Sequence, residues 1–80
     1  MDRNVIKPRL NAIFQDIFDD PSLKVNDAMR ADDVEGWDSL SHINLIVAVE
    51  KEFNIRLTTA EVRGLNNVGD LMALISKKAA

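Results

Sequence analysis

Apolar residues recur along this chain at the three- and four-residue spacing of amphipathic helices, in blocks set apart by polar runs. Ile6, Leu10, Ile13, Phe14 and Ile17 form the first block and predict a helix reaching about Phe18. Pro8 belongs in a first helical turn, which puts the expected start between Asn4 and Lys7. Asp19-Asp20-Pro21-Ser22 should end it. The second block, Ser39 to Phe53, is rich in β-branched residues. Strict alternation nevertheless fails across Leu45-Ile46-Val47-Ala48-Val49, and the run is too long for an ordinary strand. A helix is expected, with Asp38 as its N-cap and Asn54 in the turn behind it. On a wheel of 100° per residue, Leu45, Ile46, Val49 and Phe53 share the expected core face. Leu40, Ile43 and Val47 form a second apolar stripe well round from the first. So small a fold buries one broad face per helix, so the second stripe is expected to stay partly exposed and to serve docking.

Two further helices follow. Thr58-Thr59-Ala60-Glu61 has capping-box spacing and opens a short helix ending near Gly64. Asn67 can cap a last helix with Leu71, Leu74 and Ile75 at core spacing and Lys77 and Lys78 at its negative end. Between the first two helices lie about 20 residues without a period, long for a compact fold. Leu23, Val25, Met29, Val34 and Trp37 are spaced to pin that stretch to the core, and Asn26 or Asp27 can cap a short turn within it. Gly36 supplies backbone freedom just before the second helix. The reading is therefore all-α: one domain over residues 1–80, a small four-helix bundle of three longer helices and one short one. Phe14, Phe18, Leu45, Ile46, Val49, Phe53, Leu71 and Ile75 are expected to line its core.

Composition narrows the possible functions. Eighty residues with 46% hydrophobic and 29% charged positions describe a globular chain, and the absence of cysteine removes disulfides and thiolate metal sites. No apolar run approaches a membrane span, and Met1-Asp2-Arg3-Asn4 is no apolar leader, so a cytoplasmic monomer is expected. The net charge of −3 is concentrated ahead of Ser39: residues 19–38 hold seven acids against two bases. Such a field repels nucleic acid and favours partners with basic surfaces.

Gly36-Trp37-Asp38-Ser39-Leu40, followed by the apolar helix ending Val49-Glu50-Lys51-Glu52-Phe53, resembles the acyl carrier proteins over roughly Ile6 to Ile75. The resemblance implies a 4′-phosphopantetheine arm on Ser39 whose thiol carries an acyl group as a thioester. It implies no catalysis by the chain itself; a phosphopantetheinyl transferase, bringing Mg²⁺ and coenzyme A, installs the arm. Asp38, an N-cap on its own chemistry, is also read by the transferase in that family. Leu40, Ile43, Val47 and Glu50 match the family's partner-recognition face, used by enzymes that load, elongate or transfer the acyl group. Its core can open to shelter that group. Physically, the first-turn N–H groups and the positive end of the helix dipole favour a phosphodiester on Ser39 Oγ.

Ser41 and Asn44 stand where acidic residues are common in fatty-acid-synthase carriers, and Lys51 interrupts another acidic site. That departure points to a specialised pathway such as polyketide synthesis. A peptidyl or aminoacyl carrier would share the fold but more often shows a G-G-x-S lead-in. A non-covalent helical adaptor would use the Leu40, Ile43 and Val47 stripe without Ser39. His42 has no G-x-S-x-G elbow to serve as a hydrolase base, and is expected half-buried near the mouth of the bundle. The carboxylates between the first helices lack the order of a calcium loop.

Overall fold

The computed structural model describes residues 1–79 and places four helices in them: α1 (Arg3–Ile17), α2 (Ser39–Phe53), α3 (Thr59–Arg63) and α4 (Val68–Lys78). There is no strand among the described residues, and the all-α reading holds. α1 packs against both α2 and α4. Ile6, Leu10 and Phe14 of α1 meet Leu45, Val49 and Phe53 of α2 and Leu71, Met72 and Ile75 of α4 in one continuous core. Within α4 the buried set is Val68, Leu71, Met72 and Ile75, and Leu74 is only half-buried. Packing of α4 against α1 turns Met72 inward and leaves Leu74 toward the edge. Phe18, expected inside, is also half-buried and lies against the core's rim.

Two local expectations need correction. α1 begins at Arg3, one residue before the expected range, because the Asp2 carboxylate accepts the Asn4 N–H at 2.9 Å and caps the helix there. Pro8 therefore sits in the second turn, without an N–H for the Asn4 carbonyl. Both residues are exposed, so water can take the place of that bond. The α1–α2 connection does turn at Asn26, whose carbonyl accepts the Met29 N–H at 3.1 Å, but neither the Asn26 nor the Asp27 side chain caps that turn. A further 3₁₀ turn at Ala31–Asp33 is tied by the Asp33 carboxylate, which accepts the Arg30 N–H at 3.0 Å.

The long connection is held by polar contacts as well as by its apolar residues. Asn11 Oδ1 accepts the Val25 N–H at 2.7 Å, and Gln15 donates to the Leu23 carbonyl at 2.8 Å. At the other side, the Met29 and Asp27 carbonyls accept the Val68 and Gly69 N–H groups at 2.8 and 2.9 Å. These are first-turn donors of α4 that would otherwise lack partners. The connection thus completes a helix end while that helix end anchors it. Val25 and Val34 are buried along it, and Leu23, Met29 and Trp37 pack on the core.

The Thr58–Glu61 capping box forms as expected, and Lys78 Nζ reaches Glu61 at 2.8 Å, fastening α3 to the end of α4. Asn54 takes the left-handed conformation behind α2 (φ 54°, ψ 51°).

Candidate functional site

The N-terminus of α2 is built by its own neighbours. Gly36 turns the chain at φ 86°, a conformation costly for any residue with a Cβ. Asp38 is extended and caps the helix: its carboxylate accepts the Ser41 N–H at 2.9 Å and its carbonyl the His42 N–H at 2.9 Å. Ser41 Oγ in turn donates to the Gly36 carbonyl at 2.8 Å, clasping the turn from the helix side. The hydrogen bonds from Ser41, the backbone one first, hold the Asp38 carboxyl below the usual carboxylate range, so it is anionic at neutral pH.

Ser39 is the first helical residue and is exposed, and no described residue bonds its hydroxyl. The two titratable side chains nearest in sequence each take part in a hydrogen bond that builds the helix end. Asp38 serves the cap, and His42 Nδ1 accepts the Trp37 indole N–H at 3.1 Å. The site therefore presents a hydroxyl at the positive end of a helix without activating it. A phosphodiester there fits: the Oγ is open, and the N–H groups of the first turn and the helix dipole offset one negative charge. The Asp38 carboxylate beside it opposes a second. Among the described residues no three His, Asp or Glu side chains gather as a metal-binding group.

Beyond Ser39 the surface of α2 turns apolar. Leu40, Ile43 and Val47 are 68%, 60% and 43% exposed, a stripe on the face away from Leu45, Val49 and Phe53. It borders a groove toward α3 lined by Ile46, Leu57, Val62 and Arg63. Glu50, grouped with that stripe in the sequence, is half-buried, and its Oε2 accepts the Leu57 N–H at 3.0 Å. Its first role here is to hold the α2–α3 turn.

Trp37 and His42 form a unit that the spacing did not announce. The indole packs edge-on to Phe14 (centroids 5.3 Å, 82°) and beside Phe18 (5.8 Å), and bonds His42 five residues on. His42 is half-buried at the mouth of the bundle, as expected. Because its Nδ1 accepts, the neutral ring carries its hydrogen on Nε2. The only signal for this pairing was an aromatic ahead of the N-cap and a histidine in the first turn, which by itself names no partner.

Comparison with known proteins follows the same outline. The model of the family described as "Phosphopantetheine attachment site" matches residues 8–75. The chain is 33% identical, along all of its length and 99% of the relative's, to an acyl carrier protein of Thermosynechococcus vestitus. It is 36% identical, over 91% of each chain, to one from Buchnera aphidicola subsp. Acyrthosiphon pisum. A solution structure of a holo acyl carrier protein from Geobacter metallireducens superposes with a TM-score of 0.84 at 44% identity, covering 89% of this chain and 82% of that one.

Proposed function

The chain belongs to the acyl carrier proteins, whose prosthetic group is phosphopantetheine, and on that premise we propose that Ser39 bears the arm and that α2 presents it to partner enzymes. The observation that carries this is the Ser39 hydroxyl, exposed and unbonded at the first turn of a helix whose cap is made by Asp38. The arm supplies a thiol on which an acyl group is held as a thioester. Its transfer from coenzyme A joins Ser39 Oγ to phosphorus and breaks the pyrophosphate bond. Adenosine 3′,5′-bisphosphate leaves, and the hydroxyl proton passes to a base on the transferase.

The rest of the chain positions. Asp38 and Ser41 hold the helix end rigid, so the tether starts from a fixed point. Leu40, Ile43 and Val47 offer the apolar patch on which a transferase and acyl-handling enzymes dock, with Asp38 read beside it. Past Asp38, α2 carries only Glu50, Lys51 and Glu52 as charged residues, a net charge of −1 that Arg56 just beyond the helix offsets. Docking therefore leans on apolar contact more than on pairing with strongly basic surfaces, which favours a specialised or polyketide-type pathway over fatty acid synthesis. The carrier works as a monomeric single domain.

Mass spectrometry after incubation with coenzyme A, Mg²⁺ and a promiscuous transferase tests this. One added phosphopantetheine is expected on the native chain and none on Ser39→Ala. An arm on Ser39→Ala, or no arm with several active transferases, refutes the assignment.

A further inference from the structure

The uncommitted charges around the α2–α3 groove are all of one sign. From Ser39 to Arg63 the chain holds three acids, Glu50, Glu52 and Glu61, and three bases, Lys51, Arg56 and Arg63. Each acid is engaged within the fold. Glu50 Oε2 accepts the Leu57 N–H at 3.0 Å, and Glu52 Oε2 accepts from Arg9 Nε at 2.6 Å on the α1 side. Glu61 accepts the Thr58 N–H at 2.9 Å and pairs with Lys78. The three bases are exposed, and none pairs with a carboxylate among the described residues. A formal sum of zero therefore leaves a basic surface.

Two of these bases border the apolar face. Arg63 lines the groove on its α3 wall, across from the exposed Ile43 and Val47 of α2. Lys51 continues the Leu40–Val47 stripe one turn beyond Val47. Ile46, Leu57 and Val62 complete the apolar lining. A channel between two helices admits the apolar face of a third, and its rim selects the charge at that helix's edges. Residues 30–38, with four carboxylates against Arg30, lie at the opposite end of α2. Lys51 stands twelve residues past Ser39, about 18 Å along the axis. That is about two screening lengths at physiological salt, so the acid-rich segment does not cancel the attraction there.

We propose that the partner element seated in this groove is an amphipathic helix whose apolar stripe is edged by carboxylates, which pair with Arg63 on the α3 wall and Lys51 at the end of α2. The inference rests on α2 presenting the arm to partner enzymes, and names the charge such an enzyme brings to this face. Basic partner surfaces then meet the acid-rich end beside Ser39, so the two signs fix which way round the partner sits.

The test titrates isotope-labelled holo chain, its arm verified by mass, with two stapled helical peptides. They share one leucine stripe, edged by glutamates in the first and by lysines in the second. At low salt the glutamate peptide should bind about tenfold more tightly and shift the Ile43, Val47 and Val62 amides. Most of that margin should vanish at about 1 M salt. Lys51→Glu combined with Arg63→Glu should reverse the order of the two peptides. Equal affinities, a tighter lysine peptide or no binding by either overturns the inference, as does a preference that survives the double reversal. Should that variant fail to fold, Lys51→Gln with Arg63→Gln serves instead and should erase the margin. A chain that accepts no arm from several active transferases overturns the carrier assignment itself, whereas equal affinities on an armed chain overturn this inference alone.

Discussion

Ile43→Asp separates docking from folding on a single helix. Ile43 is 60% exposed in the free chain, so folding has little to lose from the change; a surface substitution of this kind costs within about 0.5 kcal/mol. A partner that covers the residue removes the remaining surface from water. Full burial of an isoleucine is worth about 1.5–3 kcal/mol, so the exposed share corresponds to about 1–2 kcal/mol. Tenfold in affinity is about 1.4 kcal/mol, and the new carboxylate adds a desolvation cost, so at least a tenfold loss is expected. The control is Leu45→Ala on the opposite face. Leu45 is fully buried, and its truncation should cost about 2–5 kcal/mol of stability while leaving the docking face in place. The assay is kcat/KM for arm transfer to Ser39, and then for one acyl-transferring enzyme, with thermal unfolding measured on the same samples. Ile43→Asp should lower kcat/KM at unchanged Tm, and Leu45→Ala should lower Tm. If Ile43→Asp stays within twofold of the native chain with both enzymes, the stripe is ordinary surface and the docking argument fails.

Other consequences are as direct. The Lys78 hydrogen bond, with help from the Thr58 N–H, lowers the Glu61 pKa from 4.5 to about 2. The folded value is the lower one, so this contribution to stability is complete above about pH 4.5 and fades as the pH falls toward 2. Glu61→Gln should flatten that part of the stability curve in urea titrations run across the range; an unchanged slope would refute the pairing. A Cβ at Gly69 would stand 2.9 Å from the Asp27 carbonyl, so Gly69→Ala must push the α1–α2 connection off α4. Equilibrium unfolding should show a loss of about 1–3 kcal/mol, with slowed or unchanged amide exchange at Val68 speaking against it. Asp38→Ala removes the α2 cap and should lower Tm and raise amide exchange at Ser41 while leaving exchange in α4 unchanged.

Much of the architecture was legible in the chain because it depends on contacts within a turn or two. Asp, Thr and Asn directly ahead of apolar periodicity mark helix starts, so Asp38, Thr58 and Asn67 could be assigned as caps without coordinates. The spacing of Leu45, Val49 and Phe53 likewise separates one side of α2 from the Leu40, Ile43 and Val47 side. Ser39 was locatable for the same reason, since its position in a first turn needs only its neighbours. Pro8 misled because the cap that outweighs it, Asp2, lies six residues upstream and signals weakly next to a proline.

What the linear order could not decide is who answers whom across the fold. Nothing in Asn11 or Gln15 says that they will hold residues 23–25, nor in Asp27 and Met29 that their carbonyls will meet the first amides of α4. Glu50 reads as surface charge until the α2–α3 turn brings the Leu57 amide to it. Trp37 and His42 read as a packing residue and a stray polar one until the connection folds over Phe14 and makes them donor and acceptor. Such pairings join residues whose separation in sequence bears no fixed relation to their separation in space. Periodicity therefore determined the helices and placed Ser39 in a first turn, and only chain closure decided which polar groups brace them.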